Sequence, residues 1–167
     1  PPDEELLRAA GDGTLHEPDV LRAQVRRMLK DPRSKALGES FACQWLELGP
    51  LGKTVRPDPK KFPEFDDELA VSMKDEVIHA FHDVVASNRS LLELIDGNAT
   101  FLNGRLAKLY GIEGVTGREM RRVELQDRNR GGVVGMAAVL TVSSYPLRTS
   151  PVLRGKWILE SLLGSKV

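Results

Sequence analysis

Cysteine is almost missing from this chain: Cys43 stands alone among 167 residues. A single thiol excludes an internal disulfide, a cysteine-rich zinc site and a CxxCH haem attachment. Aromatic residues make up only 5%, too few for a platform that stacks single-stranded bases. Surplus charge is missing too, with 24 Lys and Arg against 24 Asp and Glu, which argues against non-specific nucleic-acid binding. No apolar run approaches the ~20 residues that cross a bilayer, and the longest, residues 133–142, falls far short. No signal peptide is legible in the opening Pro1-Pro2-Asp3-Glu4-Glu5. That start without a methionine, and the ending Leu163-Gly164-Ser165-Lys166-Val167, read as a segment of a longer protein.

What is present describes an ordinary globular chain, 41% hydrophobic and 29% charged. The periodicity is helical nearly throughout. Residues 3–10 form a short helix closed by Gly11-Asp12-Gly13. Pro18 opens a second, with Leu21, Val25, Met28 and Leu29 on one face. Asp31-Pro32 starts a third, carrying Leu37, Phe41, Gln44, Trp45 and Leu48, and the two helices are expected to form a hairpin or sharp corner. Four prolines rule out a regular element over residues 49–65, an ordered connection anchored by Leu51, Val55, Phe62 and Phe65. Residues 66–88 are the longest helix. Its stripe of Leu69, Met73, Val77, Ala80, Phe81 and Val84, flanked by Val71, Ile78 and Val85, predicts a central helix with two neighbours. A short helical turn follows at residues 91–95. Thr100 is expected to cap a helix over 101–110 ended by Gly111, and residues 120–125 alternate as a short strand. Residues 133–142 read as a buried helix that Gly132, Gly135, Ala137 and Ala138 allow to approach its neighbours closely, and residues 151–163 as the last helix.

The chemistry concentrates in SSYPLRTSPVLRGKW, residues 143–157. Ser150-Pro151 is a helix start, with Arg148 just before it and Arg154 one turn inside. Two arginines at the positive end of a helix call for an anion among them, either one of the chain's own carboxylates or an external ligand. Arg128-Asn129-Arg130-Gly131-Gly132 leads into the preceding helix. If the two helix starts meet, four arginines converge on one anion site. Glu76, His79, His82 and Asp83 have a metal-like spacing, but a di-iron bundle needs a second Glu-x-x-His, and His79 and His82 fall on the face opposite the apolar stripe. Capping and turn duty explain Ser143, Ser144, Thr149 and Ser150 better than catalysis, since no histidine follows His82. Thr100 and Ser90, which complete Asn-x-Thr and Asn-x-Ser sequons, are likewise read as caps. Cys43 is expected to be a buried, inert thiol, and Trp45 and Trp157 core anchors with bonded N–H groups.

The runs PDEELLRAAGDGTL, VRRMLKDPRSKALGESFACQWLEL, FPEFDDEL, ATFLNGRLAKLYGI and RTSPVLRGKW resemble the large multidomain proteins of planctomycetes and related bacteria, which string together serial domains of unknown function, often with a c-type cytochrome module. The resemblance implies that residues 1–113 are the C-terminal part of one helical domain and residues 114–167 the start of the next, packed as one compact unit. It implies an extracytoplasmic location and other domains of the parent chain as partners, and no cofactor in this segment, any haem belonging to another module. It carries over no catalytic residue. Similar sequences carry a small residue where Cys43 stands, and His79 and His82 do not look like family features.

The expected fold is all-α, about seven helices around residues 66–88 with at most one short hairpin near Met120. The expected function is a non-catalytic structural or interaction module of a bacterial envelope protein. The alternative is an anion or acidic-saccharide site built from Arg130, Arg148, Ser150 and Arg154. Carboxylates within about 4 Å of the guanidinium groups would separate the two.

Overall fold

Asp3 accepts a hydrogen bond from the Leu6 N–H and so starts helix α1, Glu4–Gly11; Pro18 sits at the first position of α2, Pro18–Lys30. The computed structural model describes residues 2–126 and 130–166. Its chain divides into two units, Pro1–Ser34 and Lys35–Val167. The expected boundary at residues 113/114 therefore lies inside the second unit. The first unit buries no residue of α1 or α2. Its helices are tied instead by Arg27, whose guanidinium donates to both oxygens of Asp3 at 2.6 and 2.8 Å. That pairing holds the Asp3 carboxyl well below the usual range.

In the second unit, α3 (Lys35–Leu37), a π turn (Gly38–Ala42) and α4 (Cys43–Trp45) make one bulged helical stretch. Helix α5, Asp67–Ala86, is capped by Asp66, which accepts from the Leu69 N–H at 2.8 Å. As expected it is central, with Leu69, Met73, Val77, Ala80, Phe81 and Val84 all in the core. Ile78 is buried on the second flank against the π turn, where Gly38 lets the two backbones meet; Val71 remains exposed.

The all-α expectation is corrected to mainly α. After α6 (Glu93–Asp96), residues Ala99–Leu102 form strand β1, ahead of α7, Gly104–Tyr110. Strand β1 pairs antiparallel with β2, Arg121–Glu124, the short strand anticipated near Met120, with Thr100 opposite Val123. Thr100 is therefore a fully buried strand residue and caps nothing; Asn103 caps α7 through the Leu106 N–H at 3.0 Å. Strand alternation buries Thr100 and Leu102 while Asn103, an equally good cap, starts the helix three residues later. Ser90 accepts from the Leu92 N–H, as a turn hydroxyl does.

The buried helix expected over 133–142 is two pieces, α8 (Gly132–Gly135) and α9 (Ala137–Val142), broken at Met136, whose ψ of 140° is extended. Gly132, at φ +66°, lies so close to Ile95 that a Cβ there would stand 2.1 Å from its carbonyl oxygen. A tight hairpin then pairs β3 (Ser144–Tyr145) with β4 (Arg148–Thr149) around Pro146-Leu147. It leads into α10, Pro151–Trp157, which continues as a π turn, Ile158–Leu162. Both tryptophan N–H groups are bonded across the unit, Trp45 to the Ser161 carbonyl at 2.7 Å and Trp157 to the Leu46 carbonyl at 3.3 Å. Cys43 is half-buried against the core, and that burial pushes its thiol pKa up. Among the described residues, no helix is long and apolar enough to cross a membrane.

Candidate functional site

The hairpin does more than reverse the chain. Its tip is held by the proline-rich connection: the Asp58 N–H donates to the Pro146 carbonyl at 2.9 Å and Lys61 Nζ to the Leu147 carbonyl at 2.9 Å. Asp58 shapes this grip, its carboxylate accepting from the Lys60 and Lys61 N–H groups at 2.9 and 3.2 Å. The connection, the hairpin, α5 and α9 thereby line a cavity of about 440 Å³ that opens to solvent. Phe62 and Phe65 from the connection, Leu69 and Met73 from α5 and Leu140 from α9 supply apolar wall.

Four arginines line the same cavity: Arg56, Arg130, Arg148 and Arg154. Arg154 donates to the hydroxyls of Ser143 at 3.4 Å and Ser144 at 3.3 Å. Those hydroxyls in turn donate to the Val139 and Leu140 carbonyls one turn back in α9, which fixes them as acceptors for the guanidinium. Arg148 stands opposite Tyr145 in the hairpin and its guanidinium lies 5.4 Å from that ring's centre. Arg130 lies 4.5 Å above the Tyr110 ring and reaches the Gly135 carbonyl at 3.5 Å. Among the described residues, none of these three has a carboxylate within 4.0 Å. Arg56 differs: it pairs with Asp67 at 2.5 Å and covers the Phe65 ring at 5.3 Å. Glu64 is the one carboxylate among the described lining residues.

The structure brings Arg130, Arg148 and Arg154 to the lining of one cavity. Arg128 and Asn129 lie outside the described residues. Ser150 does not join them. It is buried and spends its hydroxyl on the Leu153 N–H at 3.2 Å, capping α10. Arg56 was missed; it comes from the connection some seventy positions upstream of Arg130, and no local pattern marks it. A second cavity of about 270 Å³ also holds two arginines, Arg89 and Arg122. There the charge is already matched, because Asp83, Glu93 and Glu124 pair with them.

Behind Arg130 lies a buried polar cluster. Glu76 of α5 is fully buried, and accepts from Thr100 Oγ1 at 2.5 Å and from the Tyr110 hydroxyl at 2.6 Å. The break at Met136 leaves the Ala137 N–H without a partner inside its helix, and the Tyr110 oxygen accepts from it at 2.7 Å. Burial pushes the Glu76 pKa up to about 7, against the pull of the Thr100 and Tyr110 hydrogen bonds and the Arg130 charge. Burial and the neighbouring carboxylate push that of Tyr110 up as well. The metal-like grouping of the sequence is dispersed: Glu76 faces the core, His79 stacks half-buried on Phe101 at 5.5 Å, and Asp83 binds Arg89 and Arg122. Among the described residues, no group of three or more His, Cys, Asp or Glu is placed to hold a metal ion.

Two family models match the chain. Residues 1–112 match PSD4, described as "Protein of unknown function (DUF1592)", and residues 130–167 match PSCyt3, "Protein of unknown function (DUF1588)". No curated protein and no solved structure matches it. The first model spans well over half of the 167 residues, so the chain belongs to the DUF1592 family, one of the planctomycete-type serial domains of unknown function.

Proposed function

We propose that this segment is a non-catalytic binding module of a multidomain bacterial envelope protein, and that its arginine-lined cavity receives an anionic ligand. One observation carries the reading. Arg130, Arg148 and Arg154 come from separate elements to one cavity, and no described carboxylate pairs with them. Arg130 and Arg154 are half-buried and Arg148 is exposed, and arginine is the side chain best shaped to hold a carboxylate, sulfate or phosphate. The carboxylate anchor that would have made these arginines purely structural is missing from the described residues. Their internal partners are hydroxyls, a carbonyl and two aromatic rings.

The rest of the setting follows the family. The name PSCyt3 supports a cytochrome-associated, extracytoplasmic parent protein whose other domains are this module's partners. Any haem belongs to another module, since the single cysteine here cannot make a CxxCH attachment. The test is thermal unfolding in a panel of anions at fixed ionic strength. Binding to the folded state raises Tm by mass action, so Tm should depend on the anion in the wild type. In the Arg148→Gln/Arg154→Gln variant it should not. A wild-type Tm indifferent to every anion would count against the site.

A further inference from the structure

A bare inorganic anion needs a few donors and little room. The cavity offers about 440 Å³. That falls within the ~300–1,000 Å³ of small-molecule sites. The ligand therefore has a body as well as a charge, and the walls say what kind. A saccharide is held by convergent polar side chains and by aromatic faces open for stacking. Here Thr141 donates back to the Ala137 carbonyl at 2.8 Å and Ser144 to the Leu140 carbonyl at 2.7 Å. Of the three aromatic rings in the lining, Tyr145 and Phe65 each carry a guanidinium group, from Arg148 and Arg56, and Phe62 is left as apolar wall. The rest of the wall is largely hydrocarbon, including Phe62, Leu69, Met73 and Leu140, with Thr54, Thr149 and the carboxylate of Glu64 as its other polar side chains. Alongside stand Arg130, Arg148 and Arg154, none of which pairs with a described carboxylate.

We propose that the occupant of this cavity is a single anionic amphiphile, a medium-length hydrocarbon body whose acidic head is held by Arg130, Arg148 and Arg154 while its body lies against the Phe62–Leu69–Met73–Leu140 wall. This rests on the anion-binding reading above. Burying the chain against this wall is favourable, and the guanidinium groups select against a neutral head. The pairing of an apolar wall with an excess of positive charge, four arginines against Glu64 among the described lining residues, is the complement of such a molecule.

Isothermal titration tests it with four probes: decanoate below the concentration at which it self-associates, acetate, 1-octanol and glucuronate. Decanoate should bind the wild type at least tenfold more tightly than acetate or glucuronate. Arg148→Gln should weaken decanoate several-fold, and the double variant Arg148→Gln/Arg154→Gln at least tenfold, with octanol unaffected. Arg148 is exposed, so the single variant keeps the test readable if the double variant folds poorly. Acetate or glucuronate binding as tightly as decanoate would overturn the amphiphile and leave the anion site standing. Decanoate binding equally to the arginine variants would overturn the head-group assignment. Binding of none of the three carboxylates would sink both readings.

Discussion

Replacing Glu76 by Gln should change not only the stability of the fold but the way stability depends on pH. Glu76 is fully buried in α5 and receives hydrogen bonds from Thr100 and Tyr110, yet burial raises its pKa from 4.5 to about 7. A carboxyl that holds its proton more tightly folded than unfolded contributes stability that is fully present below the unfolded pKa. That contribution is lost as pH rises through the folded value. The window therefore runs from about pH 4.5 to about pH 7, and at ~1.36 kcal/mol per tenfold change in proton affinity the loss is about 3 kcal/mol. Glutamine carries no titrating proton. Glu76→Gln should be close to wild type near pH 4.5, where the native side chain is also neutral, and more stable than wild type by up to about 3 kcal/mol at pH 8. The assay is urea unfolding of both proteins across pH 4.5–8, with the difference between them as the readout. Carboxylates such as Asp66, whose pKa the Arg105 hydrogen bond lowers, push stability the other way with pH, but they are common to both proteins and cancel. A difference independent of pH, or wild type gaining on the variant as pH rises, would refute the reasoning. It would mean that Thr100, Tyr110 and Arg130 keep Glu76 ionised throughout.

Two further outcomes follow from single positions. Gly132→Ala asks a Cβ to stand 2.1 Å from the Ile95 carbonyl oxygen at a backbone φ of +66°; backbone must move on both sides, so a loss above about 3 kcal/mol, or failure to fold, is expected by thermal or urea unfolding. Arg148→Ala should cost less than about 1 kcal/mol in unfolding free energy in sulfate-free and phosphate-free buffer, because this exposed guanidinium lies over the Tyr145 ring and pairs with no carboxylate among the described residues; a loss near 3 kcal/mol would return Arg148 to a structural role.

Local chemistry carried much of this molecule into view. Ser150 caps the helix its position promised, and Asp3 and Asp66, the first residues of two expected helices, cap them, because a side-chain oxygen two or three residues before a free N–H needs no tertiary help. The central helix was legible because its apolar stripe repeats at helical spacing, and the family from the long runs of matching residues. Thr100 misled because threonine suits both a cap and a strand. The partner that decided for the strand, Arg121–Glu124, lies some twenty residues on. The break at Met136 is invisible in a uniformly apolar stretch, yet it frees the Ala137 N–H that orients Tyr110. Glu76 looked like half of a metal motif on a solvated face; only packing shows it sealed in the core.

The site divides the same way. Sequence alone determined that residues 143–157 would turn, cap a helix and present Arg148 just before the helix start and Arg154 one turn inside it, since backbone geometry and spacing settle such matters within a few residues. Tertiary structure decided the rest: that Arg130 and Arg56 reach the same cavity, that Ser150 is withdrawn into its cap, and that no described carboxylate meets Arg130, Arg148 or Arg154. Charges read along a chain carry sign and number but not distance. Coulombic and hydrogen-bond energies depend on distances that only the packed fold sets.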